Sequence, residues 1–205
     1  DLGELYEEGN GVDKNYLKAF ECYKKAADLG NSIAIANIGQ CYEKGHAVPQ
    51  NYSRAVEYYQ KAVDMNDEFA MFYLGVCYEK GNGVKQNYQK AMAYYLKSSS
   101  LKNSDALFNI GNLYENGFGI DQDFIKAKKY YEESLSRNNV NALIKLGDMY
   151  YYGNGVRQDT LKAKEYYEKS MKLNDSRSLM KLGDLYYNGY GIGKDFIKAK
   201  YYYEE

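Results

Sequence analysis

Two serines stand three residues before a lysine, and they are the best candidates in this sequence for a catalytic nucleophile. They are Ser99, followed by Lys102, and Ser178, followed by Lys181. In penicillin-recognising enzymes a serine at this spacing attacks a β-lactam, but those enzymes also carry Ser-Asp-Asn and Lys-Thr-Gly motifs. The sequence contains neither motif. We therefore interpret both matches as chance occurrences and keep a serine hydrolase of this kind as an alternative.

Cysteine and histidine are too few for most metal and redox chemistry. The chain has three cysteines, Cys22, Cys41 and Cys77, and one histidine, His46. Their number and spacing do not fit a four-ligand zinc site or a disulfide framework. The Gly-x-Gly segments, such as 81–83, lack the strand and the further glycine or lysine of phosphate-binding loops, so they are interpreted as turns. The sequence thus predicts no metal, no cofactor and three free thiols, which favours a reducing compartment such as the cytoplasm.

Charge and hydropathy argue against two further classes of partner. Lys and Arg number 27 and Asp and Glu number 28, so the net charge is −1 and the positive surplus that neutralises nucleic-acid phosphates is missing. No apolar run approaches the roughly 18 residues of a membrane-spanning helix. With 45% hydrophobic residues, the chain is expected to fold in water around a core rich in its 26 tyrosines.

A period of 36 residues runs through the whole sequence. A Leu-Gly or Ile-Gly doublet recurs at this spacing, at positions 2–3, 38–39, 74–75, 110–111, 146–147 and 182–183. Each period reads as two helices. The first, for example 32–44, has apolar residues at a 3.6-residue period, begins after Asn or Asp and ends at a glycine such as Gly45. The second, for example 87–101, buries Ala91 and Tyr95.

The pairing of helices predicts the fold class. One helical hairpin cannot cover its own apolar face, so we predict an all-α fold, a right-handed superhelical α/α solenoid of stacked 36-residue hairpins. The doublet glycine lies inside the first helix, where glycine costs about 1 kcal/mol relative to alanine. A close approach of the second helix is expected to compensate, with an alanine such as Ala127 opposite the glycine and tyrosines on either side whose hydroxyls reach polar loop atoms.

The units resemble Sel1-like repeats, which are related to tetratricopeptide repeats. The resemblance rests on segments such as Leu-Gly-Val-Cys-Tyr at 74–78 and Lys-Ala-Met-Ala-Tyr-Tyr at 90–95, and it extends over the whole chain. It implies an adaptor in signalling, in protein quality control or, in bacteria, in contact with other cells. The paired cysteines of the cysteine-rich bacterial branch are replaced here, for example by Ala27 and Ile35, so that secreted, disulfide-dependent branch is disfavoured.

The repeat boundaries follow from the period. We predict one solenoid segment over 1–205, made of a partial repeat at 1–31, full repeats at 32–67, 68–103, 104–139 and 140–175, and a partial repeat at 176–205. Neither end carries the polar face that closes a solenoid, so we expect a segment of a longer array.

Partner binding is expected on a stripe of the first helices that varies between repeats while the packing positions stay uniform. This first-helix stripe comprises Asn37, Gln40, Tyr73, Val76, Asn109, Asn112, Asn116, Lys145, Asp148, Tyr152, Lys181 and Asp184. First helices normally line the concave side of such a solenoid, so the stripe would form a groove for a peptide or protein. Asparagine carboxamides suit this task because they both donate and accept hydrogen bonds. Lys145 and Asp148, three residues apart on one helix, are expected to neutralise each other in part, as are Lys181 and Asp184.

A second stripe borders the first and consists of Ala36, Phe72, Phe108, Ile144 and Met180. We interpret it as packing between the first helices of successive repeats rather than as a hydrophobic pocket. Taken together, these patterns predict a protein–protein interaction scaffold or adaptor without enzymatic activity. The alternatives are the serine hydrolase and a structural spacer whose first-helix stripe is a solvated face.

Overall fold

The computed structural model describes residues 2–205, and this part of the chain contains twelve α-helices and no strand. The helices are α1 (Leu2–Glu8), α2 (Tyr16–Asp28), α3 (Ser32–Lys44), α4 (Tyr52–Val63), α5 (Glu68–Lys80), α6 (Tyr88–Ser100), α7 (Ser104–Asn116), α8 (Phe124–Ser136), α9 (Asn141–Tyr152), α10 (Thr160–Met171), α11 (Arg177–Asn188) and α12 (Phe196–Glu204). Odd-numbered helices are the first helices of the repeats and even-numbered helices are the second. The predicted all-α fold of helical hairpins is confirmed. None of these helices has the length and apolar character needed to cross a membrane.

Asparagine or aspartate begins the second helices, as the sequence predicts. The side chain of Asn51, for example, accepts a hydrogen bond of 3.0 Å from the backbone N–H of Arg54, and Asp159 caps α10 in the same way. First helices such as α3 end at a glycine in the left-handed conformation, here Gly45 with φ 74°. Glycine adopts this conformation at little cost, so both ends of the helices follow from local sequence.

The 36-residue period predicts that Asn139 and Asp175 cap α9 and α11 as Asn31 caps α3, but these two caps differ from that prediction. The side chains of Asn139 and Asp175 accept from the backbone N–H groups of Asn141 and Arg177, two residues on, whereas Asn31 reaches the third residue on. A turn of this kind closes before the helix begins. As a result α9 and α11 begin one residue later in the repeat than α3.

Contacts divide the chain into two compact units, one ending at Ala106 and one running from Leu107 to Glu205. In the first unit, α3 pairs with α4 and α5 with α6, and contacts of α2 with α3 and of α4 with α5 join successive hairpins. In the second unit, α9 pairs with α10 and α11 with α12, joined through α8 with α9 and α10 with α11. Within each unit the second helix of one hairpin therefore packs on the first helix of the next.

A tyrosine ring of the second helix covers the glycine inside each first helix. A Cβ atom placed on Gly111 would lie 2.6 Å from a ring carbon of Tyr131, and Tyr131 and Ala127 are both completely buried. The close contact expected at these glycines is present, but the ring lies directly on the glycine rather than to its side. The same arrangement joins Gly3 with Tyr23, Gly39 with Tyr59, Gly75 with Tyr95, Gly147 with Tyr167 and Gly183 with Tyr203.

A second set of tyrosines joins the two helices of a hairpin through stacked rings. The ring centroids of Tyr78 and Tyr94 are 5.7 Å apart with 8° between their planes. The ammonium groups of Lys90 and Lys97 lie 5.0 and 5.6 Å from the centroids of Tyr78 and Tyr94, respectively. Each cation–π contact contributes about 0.5–1 kcal/mol at an exposed site. These tyrosines and lysines therefore stabilise the hairpin.

Candidate partner-binding face

The hydroxyls of the buried tyrosines reach the last turns of the first helices, next to the first-helix stripe. The Tyr131 hydroxyl shares its one hydrogen between two acceptors, Glu115 Oε2 at 2.6 Å and Asn112 Oδ1 at 2.8 Å. Burial and then the charge of Glu115 hold the pKa of Tyr131 well above its usual value of 10, so the hydroxyl stays protonated and donates. The expectation that these hydroxyls reach polar loop atoms was wrong, because a carboxylate on the partner helix lies closer.

The carboxylate that accepts this hydrogen bond changes position along the chain. In the first four repeats it is a glutamate four residues after the doublet glycine: Glu7, Glu43, Glu79 and Glu115. In the last two repeats Tyr151 and Tyr187 occupy that position. The tyrosine that covers the glycine donates there to Asp148 at 2.6 Å or to Asp184 at 2.8 Å, one turn earlier. The phenol that covers the glycine therefore keeps a carboxylate partner in all six repeats, although Tyr203 of the last repeat is exposed.

In the first unit, the stripe residues Asn37, Gln40, Tyr73 and Val76 are all half-buried. Gln40 Nε2 donates to Asn37 Oδ1 at 3.4 Å. The ring of Tyr73 stacks on Tyr59 of the preceding repeat, with centroids 5.2 Å apart, and burial raises its pKa above 10. The structure thus brings Asn37 and Gln40 together and uses Tyr73 partly for packing between repeats.

In the second unit, the stripe asparagines are partly engaged by the fold itself. Asn109 and Asn112 are half-buried and Asn116 is exposed. Asn112 Oδ1 accepts from the Tyr131 hydroxyl, and Asn116 Nδ2 donates to the backbone carbonyl of Asn112 at 2.8 Å. Within residues 2–205, the Asn112 amide nitrogen and the Asn116 amide oxygen have no hydrogen-bond partner.

The lysines of the stripe pair with carboxylates of the preceding repeat. Lys145 Nζ lies 2.6 Å from Glu115 Oε2, and Lys181 Nζ lies 2.8 Å from Asp148 Oδ1. The prediction that Lys145 pairs with Asp148, and Lys181 with Asp184, within one helix was therefore wrong. Stacking of hairpins places the carboxylate of the previous repeat within ion-pair distance. Asp184 is exposed and accepts from the Tyr203 hydroxyl.

Two tyrosines outside the predicted stripe, Tyr151 and Tyr187, lie beside it in the second unit. Tyr152, which belongs to the stripe, is 61% exposed, and Tyr187 is 55% exposed. The hydroxyl of Tyr151 accepts from Asn188 Nδ2 at 3.3 Å. A small cleft is lined by Tyr151, Tyr152, Tyr167, Lys181, Asp184 and Asn188. The signal that could have identified Tyr151 and Tyr187 is the replacement of a recurrent glutamate by tyrosine.

The second stripe packs in two different ways. Ala36 clusters with the buried Ala70 of the next first helix, as expected. The rings of Phe72 and Phe108 also contact the buried tyrosine of their own hairpin, with Phe108 and Tyr131 centroids 5.5 Å apart. Phe108 packs in addition on a cluster that includes Leu146 of the next first helix, and Ile144 clusters with Leu182 of α11, so the expected packing between first helices is present at these two positions.

The residues of the Ser178–Lys181 motif have separate partners. The Ser178 hydroxyl donates to the backbone carbonyl of Asp175, and the Lys181 ammonium pairs with Asp148. The Ser99 hydroxyl donates to the backbone carbonyl of Leu96 at 3.0 Å. These are the local bonds that serines make to the preceding helical turn.

The cysteines are free thiols, as predicted. Cys41 and Cys77 are buried, Cys22 is half-buried, and none of the three is in a disulfide. Burial raises the pKa of Cys41 and Cys77 to about 12, so both stay protonated at neutral pH. Within residues 2–205, no group of three His, Cys, Asp or Glu side chains is arranged to hold a metal ion.

Comparison with known protein families gives one match. The Sel1 repeat matches residues 1–31, 32–67, 69–103, 104–139, 140–175 and 176–205. A comparison with curated protein sequences gave no match.

Solved structures resemble the chain over almost its whole length. A Sel1 repeat protein from Oxalobacter formigenes is 31% identical with a TM-score of 0.88, over 99% of this chain and 83% of that one. A protective antigen of uropathogenic Escherichia coli with an SLR fold is 28% identical with a TM-score of 0.79; the match covers 99% of this chain but 44% of the antigen. An immunity protein from Pseudomonas aeruginosa shares the fold, with a TM-score of 0.66. It is 22% identical, and the match covers 98% of this chain and 79% of that one.

Proposed function

Because this chain belongs to the Sel1 repeat family, whose members are in general protein-interaction scaffolds, we propose that it binds a peptide or a protein segment along the first-helix stripe. The observation that carries the proposal is that the stripe side chains vary between repeats while the packing beneath them stays the same. We call this constant packing, in which a tyrosine covers the doublet glycine and donates to a carboxylate, the support. In every repeat a tyrosine, buried in all but the last, covers the doublet glycine and donates to a carboxylate. Side chains next to that support change from repeat to repeat, which is what an interaction surface requires.

The second unit offers the more complete surface for an extended peptide. Exposed rings of Tyr152 and Tyr187 provide apolar area with a polar tip, which suits interfaces. The amide groups of Asn112 and Asn116 have atoms that can bond to a peptide backbone. Lys145 is already paired with Glu115, so it contributes orientation more than binding energy.

Peptide selection tests the proposal. A random peptide library displayed on phage is selected against the chain, and the affinity of synthetic peptides is measured by fluorescence polarisation with wild type, Tyr152→Ala and Asn112→Ala. Each substitution is expected to weaken binding by about 1–3 kcal/mol, the range for losing an aromatic anchor or a hydrogen bond. Glu165→Lys, at an exposed site of α10, is the control and should change affinity less than twofold.

Two outcomes would contradict the proposal. One is a selection that yields no peptide with measurable affinity. The other is selected peptides that bind Tyr152→Ala and Asn112→Ala as tightly as wild type but lose affinity for Glu165→Lys. Thermal melts of all three variants accompany the binding data, because an unchanged melting temperature separates loss of binding from loss of fold.

A further inference from the structure

The second helices begin with an aromatic residue in every repeat but one. The aromatic residue is Tyr16, Tyr52, Tyr88, Phe124 or Phe196, and α10 begins with Thr160. The loop of the next repeat packs against this position in the second unit. A Cβ atom placed on Gly155 would lie 2.7 Å from Phe124 Cβ, whereas one on Gly191 would lie 3.1 Å from Thr160 Cβ. Thr160 is therefore a smaller side chain at a position that is aromatic in the other repeats, and it is itself buried.

A cleft of about 950 Å³ lies at this position. Its lining includes Thr160, the tyrosines Tyr150 and Tyr190, and the basic residues Arg157 and Lys162. Tyr190 is 63% exposed, whereas Tyr150 is buried. We call this cleft the loop cleft; none of these five residues belongs to the first-helix stripe.

The charge of the loop cleft is predominantly positive. Lys128, Arg157 and Lys162 line it, against the single acid Asp159. Asp159 Oδ1 is occupied as the N-cap of α10, where it accepts from the backbone N–H of Lys162, and Lys128 pairs with Glu132. Within residues 2–205, Arg157 and Lys162 form no ion pair. Lys162 Nζ lies 4.4 Å from the centroid of the Tyr150 ring, the same contact that Lys90 makes with Tyr78, whereas Arg157 makes no such contact within residues 2–205. Arg157, beside the exposed ring of Tyr190 and the partly engaged Lys162, forms a surface for an anionic side chain.

The first unit contains a smaller cleft at the equivalent positions. It measures about 390 Å³, is lined by Tyr78, Lys85 and Lys90 among others, and belongs to the repeat whose second helix begins with Tyr88. Lys85 and Arg157 occupy the same loop position, which is basic in these two repeats alone. The basic lining therefore occurs twice, and the larger volume accompanies the change from an aromatic residue to Thr160.

We propose that the loop cleft is a second binding site, which takes an acidic peptide segment of a protein partner. An aspartate or glutamate carboxylate binds Arg157 and Lys162, because a guanidinium matches a carboxylate with two parallel hydrogen bonds. An adjoining aromatic residue of the peptide packs on the exposed ring of Tyr190. Charge complementarity selects this occupant. The site is independent of binding along the first-helix stripe.

The test uses a fluorescein-labelled peptide, Glu-Glu-Tyr-Glu-Glu-Tyr, and the full chain, with binding followed by fluorescence polarisation. Thr160→Phe restores the ring that α8 and α12 carry at this position, so it is expected to fold while filling the cleft. We expect it to weaken binding about tenfold or more, and Thr160→Ala to retain binding. Arg157→Gln is expected to weaken binding about fivefold or more. Lys172→Gln, which removes an exposed charge at the other end of α10, should change affinity less than twofold.

The proposal is overturned if wild type shows no binding up to millimolar peptide, or if folded Thr160→Phe and Arg157→Gln both bind like wild type. It is also overturned if Lys172→Gln loses as much affinity as Arg157→Gln, since binding would then depend on overall charge. A peptide with lysine in place of each glutamate should not bind. Equal affinity for that peptide would remove the argument from charge complementarity.

Discussion

Replacing Gly111 by alanine reverses the sign of the stability change that helix propensity predicts. In an exposed helix interior, glycine to alanine stabilises by about 1 kcal/mol. At Gly111 the added methyl would lie 2.6 and 2.7 Å from two ring carbons of Tyr131, where ordinary contact is 3.4–4 Å. The ring is completely buried and its hydroxyl is held by Glu115 and Asn112, so it cannot move away without losing those bonds. Overpacking of this kind costs about 1–3 kcal/mol, so after the gain of about 1 kcal/mol from propensity we expect a net destabilisation of up to about 2 kcal/mol.

Urea unfolding followed by far-UV circular dichroism measures the effect. Ala93→Gly, at an exposed site of α6, calibrates the propensity and should destabilise by about 1 kcal/mol. Tyr131→Leu makes room for the methyl, so the loss in the double mutant with Gly111→Ala should be smaller than the sum of the single losses. A higher urea midpoint for Gly111→Ala than for wild type would refute the close contact between Gly111 and Tyr131.

Two further predictions follow from burial. Native protein should expose one reactive thiol, Cys22, to a thiol reagent, and all three in urea without reductant; a denatured count of one would contradict the free thiols. The free energy of unfolding should be constant below pH 9 and fall as the pH rises from 9 to about 12. Burial raises the pKa of Cys77 from 9.0 to about 12 and raises that of Tyr131 above 10. In this range the folded state therefore retains protons that the unfolded state has lost. A urea midpoint equal at pH 8 and pH 11 would contradict this assignment.

The repeat architecture was predictable because each hairpin meets its neighbours in the same geometry. A position that packs in one repeat packs in all of them, so Gly39, Gly75 and Gly111 recur at constant spacing, as do Ala91 and Ala127. The residues that begin and end the helices act locally, so most helix boundaries were also predictable from the sequence. Helix starts at Asn141 and Arg177 were misplaced by one residue, because a two-residue turn replaces the three-residue cap there.

The partners of the stripe side chains could not be read from sequence in the same way. The rule that residues three apart interact considers one helix alone, and it paired Lys145 with Asp148. Stacking brings Lys145 to Glu115, 30 residues earlier in the chain. That distance depends on the angle and offset between hairpins, which no local pattern encodes. For the same reason, the acceptor of the Tyr131 hydroxyl could not be predicted from the sequence.

One constraint in each repeat connects the fold to the variability of the first-helix stripe. A buried phenol needs an acceptor, and two positions one turn apart on the first helix can supply it. Where glutamate occupies the later position, as Glu115 does, the earlier one can be Asn112; where Asp148 occupies the earlier position, the later one can be Tyr151. The side chains at these two positions can therefore differ between repeats while the phenol keeps its hydrogen bond to a carboxylate.

Moving the carboxylate acceptor from the earlier to the later position of the first helix within one repeat tests this reasoning. Asp148→Asn removes the charged acceptor of Tyr167 and the ion-pair partner of Lys181, and should destabilise by about 1–2 kcal/mol. Adding Tyr151→Glu recreates the arrangement of Asn112 and Glu115, in which the glutamate accepts from the buried tyrosine and pairs with the lysine of the next repeat. Most of the lost stability should then return. If the double variant unfolds at the same urea concentration as Asp148→Asn alone, the two positions are not interchangeable acceptors, and the link between support and stripe fails.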